Sequence, residues 1–323
     1  MKKLAVPALA MVLAAAGCTV NLDLLGRPEL EEVVLVKSRA REKILVVDVR
    51  GMIASADLGS PLDREGDIVS QVYTRLRKAG DDGLVRAVIL KLDTPGGEVT
   101  ASDILYREIL RFKERTGLPV VGLMMGVAAS GGYYVSAACD TVVAHPSTIT
   151  GSIGVISVFP GIAGLFAKVG VEMRVIKSGS LKDAGSPFRG MSPEEQGIFE
   201  AIVNEMYEDF LKVVHGRRKE ALSLDELRRL ADGRVYTGLQ ALEHKLVDSV
   251  GYFDDALAAA RRLAGLKEAR VVAYPRHPRR QNNPYAVLAG EPGLFPEKTG
   301  WIEALPQLRA GFFYLWLPEV KSD

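Results

Sequence analysis

Three glycine-rich turns and one lysine-bearing loop hold the residues of this sequence best suited to chemistry. Asp93-Thr94-Pro95-Gly96-Gly97, Ala128-Ala129-Ser130-Gly131-Gly132 and Thr150-Gly151-Ser152-Ile153-Gly154 each follow an apolar run. That places them at the carboxyl ends of strands, the edge of an open α/β sheet where sites form. Ser130 would sit at a strand-to-helix turn, its hydroxyl exposed beside free backbone N–H groups and the positive helix end. Gly97 and Gly131 could each donate an N–H to an oxyanion, and the missing Cβ lets a substrate carbonyl approach. The Ser-Gly-Gly triplet equally describes a helix start with Ser130 as N-cap, and it is not a Gly-x-Ser-x-Gly nucleophile elbow.

A serine nucleophile needs a base. The chain has four histidines, His145, His215, His244 and His277. His145 is nearest in sequence and precedes Pro146 at the end of a strand-like run, so a Ser–His–Asp triad stays open on spacing alone. The alternative is a lysine, and Lys177-Ser178-Gly179-Ser180-Leu181-Lys182-Asp183 offers two. At an ordinary amine pKa about one lysine in ~2,500 is neutral at pH 7. Burial among apolar atoms raises that fraction to a useful level. A hydroxyl such as that of Ser152 could hold the amine in place. A surface lysine in a polar loop is the bland role for Lys182.

The elements that must position these residues alternate between strand-like and helix-like. Ile44 to Val49, Val85 to Leu92 and Pro119 to Met125 are dense apolar runs that suit parallel strands buried on both faces. Val171 to Ile176 gives a fourth strand, in which Glu172 and Arg174 alternate with apolar residues and predict one solvated face. Helical stretches are expected at 66–79, 101–115, 131–139 and 160–169. The β-α-β-α pattern implies a parallel sheet with right-handed crossovers. Ser192-Pro193-Glu194-Glu195 opens a capped helix, and Ile198, Phe199, Ile202, Val203, Met206, Tyr207 and Phe210 give it a core-facing stripe. Shorter helices follow near 224–231, 238–245 and 253–264.

The N-terminus reads as an address. Lys2 and Lys3 precede an apolar run, Leu4 to Ala16, too short to span a membrane comfortably. Ala15-Ala16-Gly17-Cys18 resembles a bacterial lipobox, with Ala15 where leucine is usual. Residues 1–18 are thus a lipoprotein-type signal peptide with Cys18 lipidated, and ordinary signal cleavage is the alternative. Both put the body outside the cytoplasm, anchored at the cell membrane in the first case. Residues 19–40 read as a tether, 41–270 as the globular domain, and 271–323 as a Pro-rich extension with an apolar end, Phe312 to Pro318. That end must pack on its own domain, a neighbouring subunit or a membrane surface.

Composition is that of a globular protein: 323 residues, 48% hydrophobic, 25% charged. A net charge of +1 with scattered basic residues favours no nucleic-acid partner. The two cysteines form no metal-ligand spacing, and Cys139 lies in an apolar run as a buried small hydrophobe.

Taken in order, the motifs resemble the signal peptide peptidase A family in its half-length bacterial form. They are the Pro95-Gly96-Gly97 turn, Ala129-Ser130-Gly131-Gly132-Tyr133-Tyr134, Thr150 to Val155, and Lys177-Ser178-Gly179 leading to Lys182-Asp183. Pro187 and Arg189, Gly233 to Gly238, and Ala241-Leu242 through Leu246-Val247-Asp248 complete the set. The resemblance covers roughly 43–265 and implies a crotonase/Clp-protease-like α/β superhelical fold. It implies Ser130 as nucleophile, Lys182 as base, Ser152 placing the lysine amine, and Gly97 and Gly131 as the oxyanion hole. It further implies a homo-oligomeric ring, commonly an octamer, in which the lysine reaches a serine of the neighbouring subunit. Substrates would be remnant signal peptides and other short or unfolded chains, with no cofactor or metal. The extension matches nothing in the family, and its apolar end is expected to dock on the rim or occupy a substrate groove. The rival functions are an inactive membrane scaffold of the same fold and an acyl-CoA enzyme of the crotonase type.

Overall fold

The computed structural model describes residues 30–54, 67–275, 283 and 311–316. The proposed signal peptide, Cys18 and most of the extension lie outside the described residues. The first half of the chain runs β1 (Val33–Val36), β2 (Lys43–Arg50), α1 (Ile68–Asp81), β3 (Val85–Thr94), β4 (Gly96–Glu98), α2 (Val99–Thr116), β5 (Val120–Ala129) and α3 (Gly131–Ser136). Then follow β6 (Thr141–Ala144), β7 (Ile149–Gly151), β8 (Ile156–Val158), α4 (Ala163–Lys168), α5 (Pro193–Arg218) and α6 (Leu224–Leu230). The last elements are β9 (Val235–Thr237), α7 (Gly238–Glu243), β10 (Ser249–Val250), α8 (Phe253–Leu263), β11 (Arg270–Ala273) and β12 (Gly311–Leu315).

The main sheet has the order β1-β11-β2-β3-β5-β6-β10, with β7 also beside β5 and pairing β9. Its interior pairs are parallel, and β1 and β9 are antiparallel additions. The parallel strands are almost wholly apolar because helices cover both faces. Lys91 is the buried charge of β3: it faces Asp48 in register and pairs with it at 2.7 Å. On one face α8 lays Phe253, Ala256, Leu257 and Ala260 onto Val46, Ile89 and Leu123, at the spacing of a single helical stripe.

The register decides where the turns meet. Thr94 pairs with Ala128, and Ala129 with Gly151. Three separate loops therefore emerge side by side at one sheet edge. A second sheet, β4-β12-β8, stands at this edge with all its strands antiparallel.

Three expectations change. Val171 to Ile176 pairs with no strand among the described residues, and Val171, Met173, Val175 and Ile176 are exposed. An alternating pattern makes a strand only where a neighbour supplies hydrogen bonds, and none does so among the described residues. The sheet also takes in residues on both sides of the expected 41–270 domain: β1 comes from the segment read as a tether, and β11 runs to Ala273. Helix α5 begins with the expected reciprocal cap, Ser192 Oγ accepting from the Glu195 N–H and Glu195 from the Ser192 N–H. Its core contact, however, is concentrated in the second half, at Phe210, Leu211 and Val214.

Candidate active site

Ser130 closes β5 and opens α3 in a conformation that L-residues rarely adopt, φ 52° and ψ −112°. Two backbone bonds hold it there: its N–H donates to Gly151 O at 2.8 Å, and its carbonyl accepts from the Tyr134 N–H at 2.8 Å. The side chain makes no capping hydrogen bond, and the residue is 1% exposed. The helix-start role for this serine therefore leaves its hydroxyl unused.

The glycines around it are there because the backbones come too close for a Cβ. Gly97 runs beside Ile53, whose carbonyl accepts from the Glu98 N–H and whose N–H donates to Gly96 O, both at 2.8 Å. A Cβ on Gly97 would run into that Ile53 carbonyl. A Cβ on Gly131 would stand 2.5 Å from Ser102 Oγ and 3.1 Å from the Gly96 Cα. Gly96 donates its N–H to Thr94 Oγ1, which removes it as a donor for a ligand. The structure thus brings Gly97, Ser130 and Gly131 together.

Ser152 lies in the next loop, also at positive φ (49°) and nearly buried. Its N–H donates to Arg234 O at 2.7 Å, so β9 fixes the turn.

Lys182 is not brought to Ser130 within this chain. It is exposed on a turn whose N–H donates to Gly179 O, and its amine has no hydrogen bond or ion pair among the described residues. Lys177 is otherwise engaged, donating to Ser180 O at 2.7 Å and to Asp183 at 2.6 Å. Arg189 clamps the loop by bonding both Asp183 and Glu195. Those bonds hold the Asp183 carboxyl well below the usual range and the Glu195 carboxyl at about 2. His145, the other candidate base, has its Nδ1 on Ser147 Oγ at 2.8 Å and its ring against Tyr252.

Two parts of the site escaped the sequence reading. One is Ser102, fully buried on α2 with no hydrogen-bond partner for Oγ among the described residues. The other is an aromatic cluster in which Tyr134, Phe210 and Tyr314 have ring centroids 4.6–5.1 Å apart. Tyr134 also donates to Asp103 at 2.8 Å, and burial is the first cause pushing its phenol pKa up. The adjacency of Tyr134 to the Ser130 turn was the available signal.

Comparison with known proteins gives the family. Peptidase family S49 matches residues 113–267. A provisionally named signal peptide peptidase SppA from Enterococcus faecium is 35% identical over 255 residues, 79% of this chain and 73% of that protein. Protease 4 of Haemophilus influenzae is 34% identical, covering 71% of this chain and 36% of the longer protein. The chloroplastic serine protease SPPA of Arabidopsis thaliana is 34% identical, over 70% of this chain and 33% of its own length. The chain belongs to peptidase family S49, the signal peptide peptidase A family, and is a protease on the crotonase/Clp-protease-like α/β fold.

Proposed function

We propose that this protein is an exported serine endopeptidase with a Ser–Lys dyad, Ser130 as nucleophile and Lys182 as general base. One observation carries the reading: a buried serine held at positive φ where three glycine turns meet, its hydroxyl making no capping bond to the helix it opens. Strain of this kind persists where surrounding structure enforces it, and it clusters at active sites.

The chemistry follows from the positions. As Ser130 Oγ bonds to the substrate carbonyl carbon, its proton passes to the Lys182 amine. The Gly97 and Gly131 N–H groups stabilise the oxyanion. The peptide C–N bond then breaks, and the ammonium returns its proton to the leaving amine. Water, deprotonated by the same lysine, hydrolyses the acyl-enzyme. Ser152 Oγ would hold the amine through this cycle.

Lys182 comes from a neighbour in this reading. The exposure of Lys182, its lack of a side-chain bond among the described residues and the exposed apolar side chains of 171–176 in the preceding segment support an assembled site. Lys182 of the partner subunit then serves Ser130 in a homo-oligomeric ring, an octamer in the form the sequence resembles. Substrates are remnant signal peptides and other short or unfolded chains, and Cys18 supplies the membrane anchor.

The test is cleavage of a fluorogenic apolar peptide by wild type, Ser130→Ala and Lys182→Ala. Both variants should fall to background while keeping the wild-type assembly. Activity surviving in Lys182→Ala would move the base elsewhere, and an inert wild type across several peptides would favour the scaffold reading.

A further inference from the structure

The segment Gly233 to Gly238 takes no part in the chemistry at Ser130, yet it lies directly behind both site serines. Its strand β9 is three residues long and pairs antiparallel with β7, Thr150 opposite Tyr236 and Gly151 opposite Val235. β7 is equally short and has β5 on its other side. The Ser130 N–H donates to Gly151 O at 2.8 Å, and the Ser152 N–H donates to Arg234 O at 2.7 Å. Both serines are thus tied to β9 through the Gly151-Ser152 turn.

That turn is left-handed twice in succession, Gly151 at φ 79° and Ser152 at φ 49°. Ser130 and Ser152 are two of only three non-glycine residues at positive φ among the described residues. Such backbone persists only where its surroundings over-determine it. Tyr236 supplies that support. A Cβ on Gly151 would come within 2.6 Å of the Tyr236 Cδ2 and 3.1 Å of Arg234 O, so ring and carbonyl stand against the bare side of this glycine. Tyr236 is the one buried side chain of β9. Its hydroxyl donates to Leu230 O, at the end of α6, at 2.8 Å, and the His244 ring meets it edge-on with centroids 5.2 Å apart. The ring is therefore fixed at its far end as well as at the turn. β9 is pinned beyond it too: Thr237 caps α7, and His145 O fills the space that a Gly238 Cβ would need.

We propose that Tyr236 is a positioning residue for catalysis: its ring, braced on Leu230, backs the Gly151-Ser152 turn and through it sets both the Ser130 nucleophile and the Ser152 hydroxyl. The inference rests on the peptidase reading of the Ser130 site and deepens it. Tyr236 acts through Gly151 and not on substrate. Without the ring the turn relaxes from its left-handed backbone, Gly151 O withdraws from the Ser130 N–H, and the Ser130 hydroxyl leaves its line of attack. Substrate binding is untouched, so the loss falls on kcat and not on KM. A displacement on the order of 1 Å at reacting groups lowers the rate about a hundredfold.

The experiment compares full-length wild type with Tyr236→Leu, Tyr236→Phe and Tyr274→Leu. Tyr274 is also buried, with its hydroxyl on Asp82, but it follows β11 near the opposite margin of the sheet. Kinetics on a fluorogenic peptide are paired with thermal unfolding and with amide hydrogen exchange over residues 126–155, read by mass spectrometry. Tyr236→Leu should lower kcat about a hundredfold at unchanged KM, and speed exchange at Ser130 and Ser152 while β3 stays protected. Tyr236→Phe keeps the ring against Gly151 and should keep kcat. Tyr274→Leu should unfold at a lower temperature and keep kcat. If Tyr236→Leu does not fold, Tyr236→Met, whose unbranched chain refills part of the space, should show the same split. Wild-type kcat in the folded variant, unchanged exchange over 126–155, or an equal loss of kcat in Tyr274→Leu overturns the inference. Faster exchange in Tyr236→Leu beside a wild type that cleaves no peptide would instead remove the peptidase reading and leave the brace on the turn standing.

Discussion

Gly131→Ala and Gly97→Ala should both remove activity, but only the first should be repairable. The difference lies in what each new methyl meets. On Gly131 the nearest obstacle is a side-chain atom, Ser102 Oγ at 2.5 Å, followed by the Gly96 Cα and Tyr314 O, each at 3.1 Å. On Gly97 the obstacles are the backbone C, N and O of Ile53. Neither glycine is at positive φ, so space alone sets the outcome. A displaced oxyanion donor lowers kcat by roughly 10²–10³, about 3–4 kcal/mol of transition-state stabilisation. Replacing Ser102 by alanine removes the closest obstacle and leaves contacts that need shifts of only a few tenths of an ångström. The hydroxyl it deletes has no partner among the described residues, so Ser102→Ala alone should leave stability nearly unchanged. The assay is kcat/KM on a fluorogenic peptide, with thermal unfolding as the control for folding. Gly131→Ala should lose at least about a hundredfold, and Gly131→Ala/Ser102→Ala should regain about tenfold or more, one step of ~1.4 kcal/mol. Gly97→Ala should gain nothing from the same second change. A folded Gly131→Ala with near-wild-type kcat/KM, or equal rescue of both glycines, would refute the reasoning.

Mixing two inactive proteins tests the shared site. In a head-to-tail ring built at random from equal Ser130→Ala and Lys182→Ala subunits, about a quarter of the interfaces pair an intact serine with an intact lysine. Refolded or exchanged mixtures should recover about that share of wild-type activity, whereas a dyad within one subunit would recover none. Acid should loosen the lysine loop before the core. Arg189 depresses both Asp183 and Glu195, so their contribution is complete above the ordinary carboxylate range and is lost as pH falls from 4.5 towards about 2 for Glu195. The unfolding temperature of wild type should fall with acidification through that window more steeply than that of Arg189→Met; identical slopes would show that the clamp contributes nothing.

Much of the fold was legible because its strands are buried on both faces and say so in composition. The runs at 44–49, 85–92 and 119–125 could be nothing but strands or buried helix turns, and the intervening amphipathic stretches settled the choice. The edges were less legible. Val33–Val36 and Arg270–Ala273 are four-residue strands that exist because each completes the other's hydrogen bonding at the sheet margin. No local pattern distinguishes such a strand from a tether or a linker. The close approach at Gly97 and Gly131 was legible for a different reason: it excludes side chains, and glycine is a visible mark of that exclusion.

The lysine loop shows where an alternating pattern fails to predict local structure. Val171, Met173 and Val175 alternate with Glu172 and Arg174 as a half-buried strand does, yet the described chain supplies no partner. Lys182 follows a few residues later with no bond to its amine among the described residues, while Lys177 and Arg189 hold the loop's shape through Asp183. The loop is braced from one side by Arg189 on Asp183 and Glu195 and leaves apolar side chains of 171–176 exposed. The periodicity alone therefore did not make a strand: Val171, Met173 and Val175 stay exposed, and alternation without a hydrogen-bonding edge leaves the segment irregular. By the same logic the apolar tail could not be placed from sequence: its partners, β4 and β8, are three-residue strands that have no pattern of their own until something lies between them.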